Sequence, residues 1–163
     1  MAITVRNLEP PAPGRTPVVP AREARGRIAA ILVTTDDSLW PQVGKFVPGR
    51  FALRQVDGLE PLLAELAPGS PAVLIWDVRN DAGAVASLSR LQQHSPRLAI
   101  LMLDEEGQVD RWQGLIRQNQ VVAAVGVPIA EGEFVKRLNL AGEEVLARGA
   151  LLGETAQPAG QAG

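Results

Sequence analysis

The chain has no cysteine and a single histidine among its 163 residues. The first absence removes disulfides, zinc–thiolate centres and cysteine nucleophiles together. The second excludes a metal site built from several histidines of one chain. Neither sign of charge is in excess: 16 basic and 18 acidic residues leave a net charge of −2. That balance argues against binding nucleic acid or a membrane surface through bulk charge. No stretch reaches the ~20 apolar residues of a membrane-spanning helix. The opening MAITVRNLEPPAPG lacks the continuous apolar core of a secretory signal, so a cytoplasmic address is the default expectation. Glycine-rich phosphate loops are missing too, since neither GxGxxG nor GxxxxGK[ST] occurs. His94 has no placed nucleophile beside it and makes no hydrolase; it reads as a solvated residue at a helix C-terminus, favourable to the dipole.

What is present is enough for one folded unit. The chain is 46% hydrophobic and 21% charged, ordinary for a globular protein. Residues 1–26 carry five prolines and four arginines with little apolar periodicity, and read as a flexible N-terminal arm. Residues 151–163, which include the small-residue run GETAQPAGQAG, have the composition of a flexible tail or linker. The folded domain is expected over 27–150.

Inside it, strand-like and helix-like segments alternate. RIAAILVTT (27–35), FALRQV (51–56), AVLIWD (72–77), LAILMLD (98–104) and VVAAVGV (121–127) read as strands. AVLIWD is apolar on both faces, as suits a strand covered on both sides. Between them, GLEPLLAELA places Leu59, Leu62, Leu63 and Leu66 on one helical face. Segments 37–47, 81–94 and 107–120 have similar spacing. The last helix, 131–149, puts Phe134, Leu138, Ala141 and Val145 on one stripe, with Gly149 as its stop. Five β-α units in succession predict an α/β fold: a five-stranded parallel sheet flanked by helices, of the flavodoxin-like type. In such sheets the functional crevice lies at the carboxyl ends of the strands.

Those ends carry acids. Thr35, Asp36 and Asp37 follow the first strand, Asp77 ends the third, and Asp104, Glu105 and Glu106 close the fourth. Carboxylates converging from the first and third strands could hold a hard divalent cation such as Mg²⁺. Otherwise Asp36 and Asp37 are N-caps of the first helix, Asp77 caps a loop, and Asp104 belongs to a solvated acidic loop.

Taken in order, ILVTTDD, LIWDVRNDAG, ILMLDEE and VGVPI resemble the receiver domain of bacterial two-component response regulators, in its (βα)5 sandwich form, over essentially the whole span 27–150. The resemblance implies that Asp77 stands at the phosphoacceptor position and that a cis-bonded proline follows the fifth strand. It also implies departures. The acidic pair falls on Thr35 and Asp36, or on Asp36 and Asp37 after a one-residue shift. The switch hydroxyl falls on Asp104, the aromatic switch on Ala124, and the lysine on Val127. A phosphate on Asp77 would add roughly −1.5 to −2 charge beside other acids, with no lysine to neutralise it and, at Asp104, an ionised group that only accepts hydrogen bonds. Mg²⁺ bound by Asp36, Asp77 and Asp104 would be held weakly; without it, the carboxylates should raise one another's pKa.

The implied protein is a pseudo-receiver with no enzymatic activity and no cofactor beyond that weak Mg²⁺. It would act in bacterial signalling or regulated assembly through a protein partner or output domain, such as an assembly ATPase. The resemblance places self-association on the fourth helix, fifth strand and fifth helix. There Trp112, with Arg111 and Arg117, is the interface candidate of a homodimer, tryptophan and arginine being enriched at hot spots; the alternative for Trp112 is ordinary partial burial. Trp76 is expected in the core, and Trp40 near the first helix. Two alternatives remain open: a working receiver phosphorylated on Asp77 by a histidine kinase, and a flavodoxin-like domain binding a small ligand.

Overall fold

A strand with apolar residues at every position can be satisfied only where both of its faces are covered. The runs IAAILV, AVLIW and LAILML are of that kind, and they lie side by side in the middle of the sheet. The structure is a computed structural model that describes residues 26–162 apart from Asn80 and Ala82; past Arg148 it describes the backbone alone. The arm expected over 1–26 therefore lies outside the described residues except for Gly26.

Five parallel strands, β1 (Ile28–Val33), β2 (Phe51–Val56), β3 (Ala72–Asp77), β4 (Leu98–Glu105) and β5 (Ala123–Val127), stand in the order β2-β1-β3-β4-β5. Helices α1 (Leu39–Phe46), α2 (Leu59–Glu65), α3 (Ala84–His94), α4 (Gln113–Arg117) and α5 (Glu131–Ala162) connect or follow them, with a 3₁₀ helix (Glu106–Trp112) ahead of α4. This is the predicted α/β architecture. Among the described residues no helix is long and apolar enough to cross a membrane.

Successive side chains of a strand point to opposite faces, and two cores result. Ala30, Leu32, Val73, Ile75, Leu101 and Leu103 pack with Leu39 and Val43 of α1 and with Phe134, Leu138, Ala141 and Val145 of α5. Ile31, Val33, Leu74, Trp76, Ile100 and Met102 pack with Leu62 of α2, Leu88 and Leu91 of α3, and Trp112. Trp40 is partly buried against the first core. The Val33↔Trp76 and Asp77↔Leu103 registers set the ends of β1, β3 and β4 beside one another.

Three local expectations change. The single helix expected over 107–120 is a 3₁₀ helix followed by only five residues of α4, because Asp104 grips Arg111 and Trp112 and tightens the turn between them. The last helix does not stop at Gly149 but continues to Ala162, so the backbone expected to be a flexible tail is helical. One glycine costs a helix about 1 kcal/mol, which the good helix formers on either side of Gly149 offset. His94 is half-buried rather than solvated, its Nε2 donating to the Leu66 carbonyl at 2.6 Å. The bond ties the end of α3 to the loop after α2.

α5 comes in close over the β1–β2 edge because Gly142 has no side chain. A Cβ there would stand 2.9 Å from Phe51 Cζ and 3.3 Å from Ile28 Cδ1. Gly142→Val should therefore cost about 1–3 kcal/mol in denaturant unfolding. Gly44 of α1 has open space around it, and Gly44→Ala should instead stabilise by roughly 0.4–1 kcal/mol in the same measurement.

Candidate functional site

β1 and β3 are neighbours, so whatever follows β1 meets the last residue of β3. The residue that does so is Thr34, one position earlier than the acidic pair expected at Thr35 and Asp36. Thr34 is buried, and its hydroxyl donates to Asp77 Oδ2 at 2.7 Å. Thr34 Oγ1 in turn accepts the backbone N–H of Asp36 at 2.9 Å, which turns the chain toward α1. Thr35 and Asp37 are exposed. Asp36 is not the N-cap expected of it: Ser38 holds that position without a side-chain cap bond, and Asp36 Oδ1 instead accepts from the backbone N–H of Ser38 at 2.9 Å and from the Ser38 hydroxyl at 2.6 Å, a turn just ahead of α1.

The link between Asp36 and Asp77 is Arg79. Two residues past Asp77, its side chain folds back so that Nε donates to Asp77 Oδ1 at 2.9 Å and Nη2 to Oδ2 at 2.9 Å, a bidentate pair. Nη2 also donates to Asp36 Oδ2 at 2.7 Å, and the Arg79 backbone N–H reaches Asp77 Oδ1 at 3.2 Å. Asp77 thus accepts four hydrogen bonds, two on each oxygen. A carboxylate has about four lone-pair sites, and all of them are taken.

This arrangement reverses the expected mutual raising of the carboxylates' pKa. Asp36 is held down at about 2, by the Ser38 hydroxyl first and then by Arg79. For Asp77, burial is the largest single influence and pushes upward. The hydrogen bonds from Arg79 and Thr34 together outweigh it and hold the carboxyl below its ordinary value. Arg79 is shifted further up in return, chiefly by its bond to Asp77.

Asp104 is not part of this group. Its side chain is 1% exposed. Oδ1 accepts the Glu105 backbone N–H at 2.8 Å, and Oδ2 accepts Trp112 Nε1 at 2.7 Å and Arg111 Nε at 2.9 Å. Both the metal-ligand and the solvated-loop expectations for Asp104 give way to a buried anchor, because three donors within eight residues converge on it. Among the described residues no group of three or more histidine, cysteine, aspartate or glutamate side chains could hold a metal ion. Trp112 is likewise buried, at 6% exposure, so the burial alternative holds rather than the exposed anchor. The Arg111 guanidinium lies 4.9 Å from the centre of its ring. Arg111 and Arg117 are exposed.

On β5, Ala124 packs a methyl group against the second core, and Val127 packs against the first. The Val127–Pro128 bond is cis, as the resemblance implies. Gly126 lets the 3₁₀ helix approach: a Cβ there would stand 3.1 Å from Glu106 Cα. On the β2 side of Asp77 lies a cleft of about 250 Å³ lined by Thr34, Asp57, Gly58, Leu59, Trp76 and Asp81 among others.

Sequence reasoning missed Arg79, Thr34 and Ser38. A usable signal existed for the first: with an apolar residue at Val127, the charge needed near Asp77 has to come from elsewhere, and Arg79 is within side-chain reach. Thr34 was obscured by the identical residue that follows it.

No protein-family model and no curated protein matches the sequence. Among solved structures, the chain is similar to one described as adenylate cyclase from Rhodopirellula baltica, at 18% identity and a TM-score of 0.65, covering 77% of this chain and 97% of that one. A signal receiver domain of an HD domain-containing protein from Pseudomonas fluorescens Pf-5 gives 16% and 0.62, over 74% and 98%. A putative pilus assembly-related protein from Burkholderia pseudomallei gives 19% and 0.55, over 73% and 92%. At these identities the likeness establishes the fold. With the strand order, it defines a receiver-type (βα)5 domain.

Two outcomes follow at the strand ends. Arg79→Ala leaves a largely buried Asp77 charge with only the Thr34 hydroxyl and the backbone N–H of residue 79 as donors, and should cost about 3 kcal/mol at pH 7. Both carboxyls are depressed in the folded state, so their stabilisation is complete above the unfolded value of about 3.9. For Asp36 it is lost as pH falls from there through about 2. Urea unfolding across that window should show wild-type stability falling with acid and the Arg79→Ala profile flattened. Asp104→Asn presents an amide N–H₂ to groups that are all donors. It should cost about 2–4 kcal/mol, against under about 1 kcal/mol for Arg111→Ala at the half-exposed partner.

Proposed function

We propose that this protein is a non-catalytic interaction module of signalling or regulated assembly, whose output does not depend on phosphorylation of Asp77. The observation that carries this reading is the filled carboxylate: Asp77 accepts four hydrogen bonds from Thr34 and Arg79. An attacking carboxylate needs a free lone pair, and its phosphate product needs a cation in the lysine position. Val127 offers only an apolar side chain there. The receiver-type fold supports a signalling role, and the similar structure described as pilus assembly-related is in keeping with an assembly context.

The working surface in this reading is the side built by α4, β5 and α5, directed at a protein partner, an output domain or a second copy of the chain in the cytoplasm. Exposed Arg111 and Arg117 support it, as do Leu140 and Leu146 of α5, 49% and 52% exposed. Apolar side chains among charged ones are the composition of an interface core and rim.

Incubation with acetyl phosphate and Mg²⁺, followed by intact-mass measurement and sedimentation, tests both parts. The expected result is no adduct and an association state that phosphodonor leaves unchanged but Arg117→Glu weakens. An adduct that disappears in Asp77→Asn overturns phosphorylation independence. Association indifferent to Arg117→Glu overturns the proposed surface.

A further inference from the structure

A receiver-type site implies a divalent cation between the acids at the ends of β1 and β3, and the residues present do not fit one. Mg²⁺ demands near-octahedral oxygen coordination at about 2.0–2.1 Å. The two oxygens that face one another, Asp36 Oδ2 and Asp77 Oδ2, converge on Arg79 Nη2 at 2.7 and 2.9 Å. An ion drawn to that pair would meet a guanidinium already seated against it. The third oxygen nearby, Thr34 Oγ1, directs its proton at Asp77. Asp104, the remaining acid of the strand ends, is occupied by Trp112 and Arg111.

We propose that Arg79 is a tethered cation standing in the divalent ion's place, so that the Asp36–Asp77 pair takes up Mg²⁺ only when Arg79 is removed. The proposal rests on the same reading of Asp77 as a spent carboxylate and adds what holds it so. Three features give the tether its advantage over a free ion. Arg79 is two residues from Asp77, so its effective concentration at the carboxylate is that of an intramolecular group. Its backbone N–H joins the same oxygen as its side chain, which fixes the loop and the guanidinium together. Its planar fork matches the carboxylate bidentately, a geometry that a lysine or a spherical ion lacks. With a charge of +1 against −2, the clamp leaves the site with one net negative charge. Removal of Arg79 leaves two uncompensated carboxylates, and Mg²⁺ then restores neutrality.

The test is thermal unfolding of the full chain in millimolar MgCl₂, against KCl of equal ionic strength, for wild type, Arg79→Ala, Arg79→Lys and the double variant Arg79→Ala/Asp36→Asn. Wild type and Arg79→Lys, which keep a cation, should not respond to Mg²⁺. Arg79→Ala should melt lower and regain roughly 3–6 °C on Mg²⁺ addition, and the double variant should not. A wild-type response equal to that of Arg79→Ala, or no response in a folded Arg79→Ala, overturns the proposal. Where Arg79→Ala does not fold, titration of wild type with Mn²⁺ followed by electron paramagnetic resonance decides: tight uptake overturns the tether, and its absence alongside an unresponsive Arg79→Lys supports it. No phosphodonor is present, so the two readings fail separately. Mn²⁺ uptake without an adduct removes the tether and leaves the interaction module; an adduct without uptake does the reverse.

Discussion

Two carboxylates at the end of a buried parallel sheet stay ionised together only with positive charge between them, and in this protein the chain itself supplies it. Arg79 binds Asp77 through Nε and Nη2 and reaches Asp36 with the same Nη2. The strand order makes the encounter unavoidable, since β1 and β3 are neighbours and their following loops share one edge. Asp36 in turn orients Ser38 at the start of α1. The guanidinium therefore offsets half of the site's negative charge and fastens the β3–α3 loop to the β1–α1 loop. Burial alone would favour a protonated Asp77; the hydrogen bonds decide the sign the other way.

The fourth strand faces the same problem and solves it with different groups. Asp104 is more deeply buried than Asp77 and has no link to Arg79; Trp112 Nε1, Arg111 Nε and the Glu105 N–H supply its donors. Gathering two of those donors from one short segment is what makes that segment a 3₁₀ helix, the tighter winding used in short pieces. A buried charge with satisfied partners gains little net stability over an apolar isostere, but removing one partner is costly. Such a group specifies one arrangement more than it strengthens the fold. The two ends that a phosphorylation switch would couple, at β3 and β4, are each closed on local partners.

The fold was legible because it is written in periodicity. Alternation in β2, uninterrupted apolar character in β1, β3 and β4, and the Leu59–Leu66 stripe are patterns that one dominant force, apolar burial, produces directly. The same holds for Asp77 at the end of β3. The site was less legible because its chemistry depends on which polar side chain folds back on which carboxylate, a question of a few ångströms that no spacing rule answers. Arg79 and Trp112 show the two ways this fails. Arg79 lies in a loop, where no periodicity singles it out. Trp112, in a polar-looking helix, looked exposed, yet a buried acceptor eight residues earlier draws its N–H inward, and burial follows from the hydrogen bond. The stop expected at Gly149 failed for a milder reason, since a single glycine is a small local cost where Ala147, Arg148, Ala150 and Leu151 flank it.

The departures from the receiver pattern are best understood as one connected set. An apolar Val127 joins the core under α5 and leaves no charge at the end of β5; the site then requires a cation from another loop, and Arg79 meets that requirement. An aspartate where a hydroxyl is expected requires donors, and Trp112 and Arg111 supply them. A small Ala124 has no ring to relocate. Each substitution is thus compensated by a partner that now occupies the space or the lone pairs the switch would use. A lysine restored at Val127 would meet an Asp77 whose oxygens are already full, and a threonine at Asp104 would abandon Trp112 Nε1 without an ionised acceptor. Under the proposed phosphorylation independence, it is a network of satisfied hydrogen bonds, rather than the absence of any one residue, that would keep Asp77 from a switching role.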